Sequence, residues 1–390
     1  MLGVFAAGWR SSSGEVAMMA AKALMAGLLL AAVSCTVAAY RVHHDAARWE
    51  PDAAIYLRMA LQDRGESYAA ARADANRFMR TTSDATNPGS RGFYDDVAPA
   101  YYEGQFTLFR GRPLYPWLGA MLYGRFGPHG LQVVSGASYA LAVPVLYWLL
   151  LDVAPWWIAA IGALAFAAAR PIVDMASYAM TDELTLLCWI VALGAMIAYL
   201  RLPRASMLAL LAAASLALAF TRPAVYLPLG AALGALVAAR GPARAAALRL
   251  TAVTGTVAIV YAAYTLIAHA AGLGEVLRWI YGWQRAIGAT SSGFARWYTV
   301  AEMRAFAETL GVVVYHDGAV FLLALAALGA VALRRTPQLG LLVGALVAAP
   351  IAIVPDPMDV VRTVELPWLP VLVVLATAGL ARVAPRTGAA

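Results

Sequence analysis

The sequence predicts an all-α fold, a polytopic transmembrane helix bundle with interfacial helices in its first external loop. Three observations predict it. Of 390 residues, 62% are hydrophobic and only 13% are charged, with a mean hydropathy of +0.69. A soluble domain of this size needs roughly a quarter of its residues charged to cover its surface. Runs of about 20 apolar residues recur, about ten in all, each long enough for a hydrocarbon core of ~30 Å. They are rich in Ala and Leu and lack the alternation of a barrel strand. In lipid the backbone must satisfy its own hydrogen bonds, so these runs are helices.

The first run, residues 17–40, exceeds the roughly 7–15-residue core of a secretory signal and reads as an uncleaved span. A cleavable signal ending near Ala39 is the alternative. Further spans are predicted over 131–151, 155–169, 179–200, 205–220, 224–239, 250–271, 311–333, 338–354 and 364–381. The shortest cross only with little tilt or in a locally thinned bilayer. Arginine placement predicts sidedness. With Arg10 and Lys22 in the cytoplasm, the inner connections carry Arg201 and Arg204, then Arg240, Arg244 and Arg249, then Arg334 and Arg335, then Arg382 and Arg386. Both termini are then expected inside. The chain, 1–390, reads as a single transmembrane domain. It shows no internal repeat, which argues against a transporter built from two related halves.

The formal charge of +7 and pI near 9.5 do not point to nucleic acid, because no basic stretch adjoins an aromatic-studded soluble module. Cys35 and Cys188 fall inside predicted spans, so no disulfide framework or cysteine metal site is expected. There is no Walker A loop, no G-x-G-x-x-G after a strand and no H-E-x-x-H.

Two longer segments fall outside. Residues 41–112 are polar, and 272–310 carry Trp279, Tyr281, Trp283, Phe294, Trp297 and Tyr298, which suit the headgroup level. Within the first, Asp52–Arg64 has the pattern of a helix lying on the membrane surface. After Pro113 a helix of about 14 residues is too short to span and is expected to be interfacial or re-entrant.

The outer ends of the predicted helices carry Arg112, Arg170, Arg222 and Arg362, with Asp174, Asp182, Glu183, Asp356, Asp359 and Glu365 near them. Outer arginines run against the usual loop bias. A lone arginine there snorkels to headgroups or pairs with an acid. Several converging ones suit a phosphate or pyrophosphate, whose oxygens the guanidinium fork matches. Asp52 opens the amphipathic helix, where a carboxylate can take a proton from an attacking hydroxyl or cap the helix. Asp182 and Glu183 begin a helix whose dipole favours negative charge, and they face the same cavity if they are functional. Asp95–Asp96, in a Pro- and Gly-flanked loop, fit either solvated acids or oxygen ligands for a divalent cation such as Mg or Mn.

These residues carry a resemblance. The string W-x-P-D-x-x-x-Y-L-x-M-A (49–60) is similar to the opening external motif of GT-C membrane glycosyltransferases, among them protein O-mannosyltransferases and lipid A aminoarabinose transferases. The segments R-P-L-Y-P-W-L-x-A-M-L-Y-x-x-F-G (112–127), M-T-D-E-L (180–184), L-A-F-T-R-P (218–223) and R-x-x-E-L-P-W-L-P (362–370) resemble the same superfamily and follow in the expected order. Ala53 stands where aminoarabinose transferases carry a second acid. The resemblance implies a multi-pass enzyme of a bacterial inner membrane with an extracytoplasmic site. It also implies a polyprenyl-phosphate sugar donor, a glycan, lipid or protein acceptor, and inversion at the anomeric carbon. The catalytic acid maps to Asp52. Arg58, Arg112, Arg222 and Arg362 are expected on the donor phosphate, with Tyr56, Asp182 and Glu183 in the substrate site.

Two other classes stay open. An O-antigen polymerase or ligase also uses outer arginines and has no need of Asp52. A lipid-linked sugar transporter or flippase needs charges deep within spans and moves its cargo without covalent transfer. A scaffold subunit without catalysis is a third reading.

Overall fold

A computed structural model describes residues 13–44, 49, 51–83, 107–286, 291–315, 319–353 and 364–384. Among them there are helices, turns and bends, and no strand. The helices are α1 (Ser13–His44), α2 (Pro51–Asp63), α3 (Tyr68–Ser83), α4 (Leu114–Phe126), α5 (Gly130–Leu150), α6 (Trp156–Ala168), α7 (Arg170–Met175) and α8 (Asp182–Arg201). They continue with α9 (Ala205–Thr221), α10 (Tyr226–Ala238), α11 (Pro242–Ile267), α12 (Leu273–Ala286), α13 (Phe294–Tyr315), α14 (Ala319–Leu333), α15 (Pro337–Ala348) and α16 (Leu366–Val383).

Among the described residues, five stretches are long and apolar enough to cross a membrane: Ala17–His44, Leu114–Leu150, Asp182–Arg201, Pro242–Ile267 and Leu366–Val383. Five shorter apolar helices accompany them: Trp156–Ala168, Ala205–Thr221, Tyr226–Ala238, Phe321–Leu333 and Pro337–Ile351. Only 22% of the apolar window of α1, and of α11, is buried inside the molecule. Leu28 and Leu29 on α1, and Leu266 and Ile267 on α11, stand exposed, as apolar residues facing lipid would.

The stretch Leu114–Leu150 is not one rod. Gly127, at φ +57°, takes a left-handed conformation that disfavours other residues, and a 3-10 turn follows over Gly127–His129. The Tyr115 hydroxyl then donates to the Leu131 carbonyl (2.9 Å), and a Cβ on Gly130 would stand 3.0 Å from the Gly119 carbonyl. In a straight helix those pairs are more than ~15 Å apart. So α4 folds back on α5 as a separate short helix, in keeping with a length too short to span.

The interior is a bundle around α5 and α8, with α1, α6, α9 and α16 against it. Glycines bring other pairs closer. In α10 and α15, Gly230 and Gly234 face Gly340 and Gly344 across a G-x-x-x-G contact, and a Cβ on Gly234 would enter the Gly340 carbonyl. Gly329 of α14 and Gly379 of α16 meet in the same manner.

Two boundaries differ from the sequence reading. Residues 311–315 extend α13 instead of opening the span expected over 311–333; the helix there is α14, starting at Ala319. Their apolarity is a hydropathy signal, but they continue a helix that began at Phe294. The segment 272–310 is largely helical, with α12 and α13 joined by a small aromatic core of Trp297, Ile280, Tyr281 and Tyr298. Residues 84–106, 287–290, 316–318 and 354–363 lie outside the described residues.

Candidate functional site

The site starts on α2. Pro51 is its first residue, pre-set for a helix start, which puts Asp52 inside the first turn rather than at the cap. At about 100° per residue, Tyr56 lies on nearly the same face as Asp52. Arg58 lies about 120° away on the other side. There it is buried against α3, where its Nη1 donates to the Tyr68 hydroxyl (3.1 Å) and its guanidinium stands 5.0 Å from that ring's centre. Arg58 lines a small pocket with Ala54, Ile55, Arg72, Ala75 and Asn76. The expected grouping of Arg58 with the other arginines is therefore corrected by the helix period: it points away from Tyr56 and Arg112.

Arg112 comes to Asp52 from the turn before α4. Its Nη1 donates to the Tyr56 hydroxyl (3.2 Å), and its guanidinium lies 4.8 Å from the Phe109 ring centre. Burial works against this charge, but the Tyr56 oxygen, with Asp52 and Tyr261 beyond it, more than offsets that and pushes the ionisation up from the ordinary arginine value. Arg112 makes no ion pair with a carboxylate among the described residues.

A second cluster sits at the start of α8. The segment before it is held by α5: Gln132 Nε2 donates to the Ser177 carbonyl (3.0 Å), and Ser135 donates to that of Met180 (2.9 Å). This fixes Asp182, whose Oδ1 accepts a 2.6 Å bond from Arg222 Nη1, with side-chain exposures of 1% and 13%. Arg222 follows the last turn of α9, which runs antiparallel to α8, so both charges meet at one end of the bundle. Beside them Glu183 is 1% exposed, and among the described residues neither of its carboxyl oxygens has a hydrogen-bond partner. A buried polar group left in that state asks for an explanation.

Tyr115 joins the clusters. Its ring packs edge-on against Tyr56 with centres 5.2 Å apart, its hydroxyl pairs with Ser135 (3.0 Å), and the field of Asp182 reaches it. Direct contacts thus link Arg112, Tyr56 and Tyr115, and Asp182 with Arg222, while Asp52 acts on Arg112 through its field. Sequence reasoning missed Tyr115 as a member, although it stands three residues after Arg112 in the R-P-L-Y-P-W string. It also missed Tyr261 of α11.

Other expected residues are placed elsewhere. Arg170 and Arg41 both contact Asp174, at 3.5 Å and 3.0 Å, which gives Arg170 a local partner. Arg362, Asp95 and Asp96 lie outside the described residues. Arg362 precedes α16, whose Pro367 carbonyl accepts a bond from Trp189 Nε1 of α8 (3.1 Å). Among the described residues no three His, Cys, Asp or Glu side chains gather into a metal-binding cluster.

The class these features define is, among the described residues, an all-helical protein with helices long and apolar enough to cross a membrane and a charged, tyrosine-lined cluster at one end of its bundle. No family model, curated protein or solved structure matches the chain.

Proposed function

We propose that the chain is a GT-C-type membrane glycosyltransferase that moves a sugar from a polyprenyl-phosphate donor to an acceptor at the extracytoplasmic face, with inversion. The observation that carries the reading is Arg112. It is a fixed cation, with a phenol for its hydrogen bond in place of a carboxylate, within electrostatic reach of Asp52. A guanidinium in that state can take a phosphate's charge, while the nearby carboxylate serves an attacking hydroxyl.

In the proposed reaction the acceptor oxygen attacks the anomeric carbon opposite the phosphate. Asp52 receives the hydroxyl proton as the new C–O bond forms. The bond from that carbon to the phosphate oxygen breaks, and its electron pair leaves with polyprenyl phosphate, whose charge Arg112 stabilises. Phosphate leaves readily and needs no strong general acid. Arg222 is held by Asp182 in the ligand-free structure and is the second cation for the donor once that pair opens. The aromatic residues of 279–298 line the lipid or sugar path.

Purified protein in lipid nanodiscs, assayed against a panel of radiolabelled polyprenyl-phosphate sugars, tests this reading. Transfer is expected with the wild type and lost in Asp52→Asn, with membrane insertion preserved. Full activity in that variant would refute the role of Asp52 and favour a polymerase- or ligase-like reaction.

Glu183 supports one competing reading. A buried carboxyl is the kind of group a flippase would use, although Glu183 stands in the first turn of its helix and not deep within it. That reading expects movement of labelled lipid-linked sugar across the bilayer with no covalent product.

A further inference from the structure

The segment leading to Arg112 is held by the far end of α11. The Tyr261 hydroxyl donates to the Gly111 carbonyl and that of Tyr264 to the Arg110 carbonyl, each at 3.4 Å. The backbone N–H of Ala271, just past α11, donates to the Thr107 carbonyl at 3.0 Å. Both hydroxyl bonds are long for O–H donors, so the hold comes from the set. Gly111 is what lets the chains approach: a Cβ there would stand 3.0 Å from the Tyr261 oxygen.

Tyr261 also faces the other arginine's helix. Its ring centre lies 6.2 Å from that of Phe220, and the Tyr264 ring lies 4.9 Å from the same partner. Phe220 stands two residues before Arg222 in the L-A-F-T-R-P segment. One tyrosine therefore touches the peptide preceding Arg112 and the helix end that presents Arg222.

We propose that Tyr261 is a positioning residue: it fixes the turn that aims Arg112, and through Phe220 it sets where Arg112 stands relative to Arg222. It does not itself touch substrate. The consequence for donor binding rests on the assignment of Arg112 to donor phosphate; the hold on the turn does not.

The test uses full-length protein in nanodiscs and two measurements. The first is hydrogen–deuterium exchange at residues 110–112, where the Arg112 amide bonds to the Phe109 carbonyl (2.8 Å). Tyr261→Phe keeps the ring and its packing on Phe220, so exchange along α11 stays at the wild-type level while exchange at 110–112 rises severalfold. Gly111→Ala presses a methyl on the hydroxyl and raises it too. The double variant Gly111→Ala/Tyr261→Phe falls back to the level of Tyr261→Phe alone, because loss of the oxygen makes room for the methyl. Wild-type exchange at 110–112 in both single variants, or effects that simply add in the double variant, overturns the proposal.

The second measurement is undecaprenyl phosphate binding and, with a labelled donor, the split between KM and kcat. Tyr261→Phe raises Kd and the donor KM severalfold with kcat nearly unchanged, a pattern that general loss of folded protein does not give. A KM equal to wild type overturns the claim of positioning. Failure of the wild type to bind undecaprenyl phosphate sinks the donor assignment of Arg112, and the exchange data still decide whether Tyr261 holds the turn.

Discussion

The Nη1 of Arg112 donates a 3.2 Å hydrogen bond to the Tyr56 hydroxyl, tying the turn before α4 to a helix 56 residues earlier in the chain. The bond is neutral on the acceptor side, so it orients the guanidinium without cancelling its charge. Loss of a hydrogen bond to a charged group weakens binding by about 1.5–3 kcal/mol, roughly 10- to 100-fold. Arg112→Ala is expected to raise the Kd for polyprenyl phosphate over that range, and Arg112→Lys to recover little of it, since an ammonium lacks the planar fork. Tyr56→Phe loses only the orienting bond and raises Kd less. Calorimetry or ligand-induced shifts in Tm order the three variants, and wild-type affinity in Arg112→Ala would remove this residue from the site.

The Asp182–Arg222 pair predicts a stability effect of a different size. Both side chains are nearly enclosed. Removing the ion-pair partner of a buried charge costs about 3–5 kcal/mol. Arg222→Ala therefore lowers the thermal midpoint in detergent markedly. Asp182→Asn on that background removes the stranded charge and recovers most of the loss. If Arg222→Ala unfolds with the wild type, the pair is not formed in the membrane.

The sequence showed much of this arrangement, but unevenly. Hydropathy located the apolar helices, because lipid or protein must cover each of them. Asp182 and Arg222 come to one end because α8 and α9 are antiparallel neighbours. What the sequence did not show was which arginine faces which neighbour. Arg58 is two residues from Tyr56, about 200° around the helix, and the position of α3 shows what it turns toward. The link from Arg222 to Asp182 joins residues 40 apart, and no local pattern in the chain specifies such a pair. Tyr115 and Tyr261 were hidden for a related reason: tyrosines near helix ends are common at membrane interfaces, and their partners are backbone carbonyls or rings on other helices.

The position of Arg58 carries its own prediction. Held by Tyr68 between α2 and α3, it contributes packing to that pair and not charge to the donor. Arg58→Met is expected to lower Tm while leaving the donor KM of the folded fraction within about twofold of wild type, a difference of some 0.4 kcal/mol. A rise in KM like that of Arg112→Ala would put Arg58 back among the phosphate ligands.

The contact between α10 and α15 predicts where the bundle tolerates no added atom. A methyl on Gly234 would meet the Gly340 carbonyl, with the Gly344 Cα at 2.7 Å and its N at 2.9 Å. All three are backbone atoms, so no side chain can swing aside, and relief requires the helices to separate. Overpacking of this kind costs about 1–3 kcal/mol, and separation also forfeits the neighbouring contact of Gly230 with Gly344. Gly124 on α4 is the control, because nothing lies within 4 Å of a Cβ there and alanine suits a helix better than glycine. Gly234→Ala should lower the thermal midpoint in detergent by several degrees, and Gly124→Ala should hold or raise it slightly. Equal midpoints for the two variants would mean that α10 and α15 do not meet along their glycines.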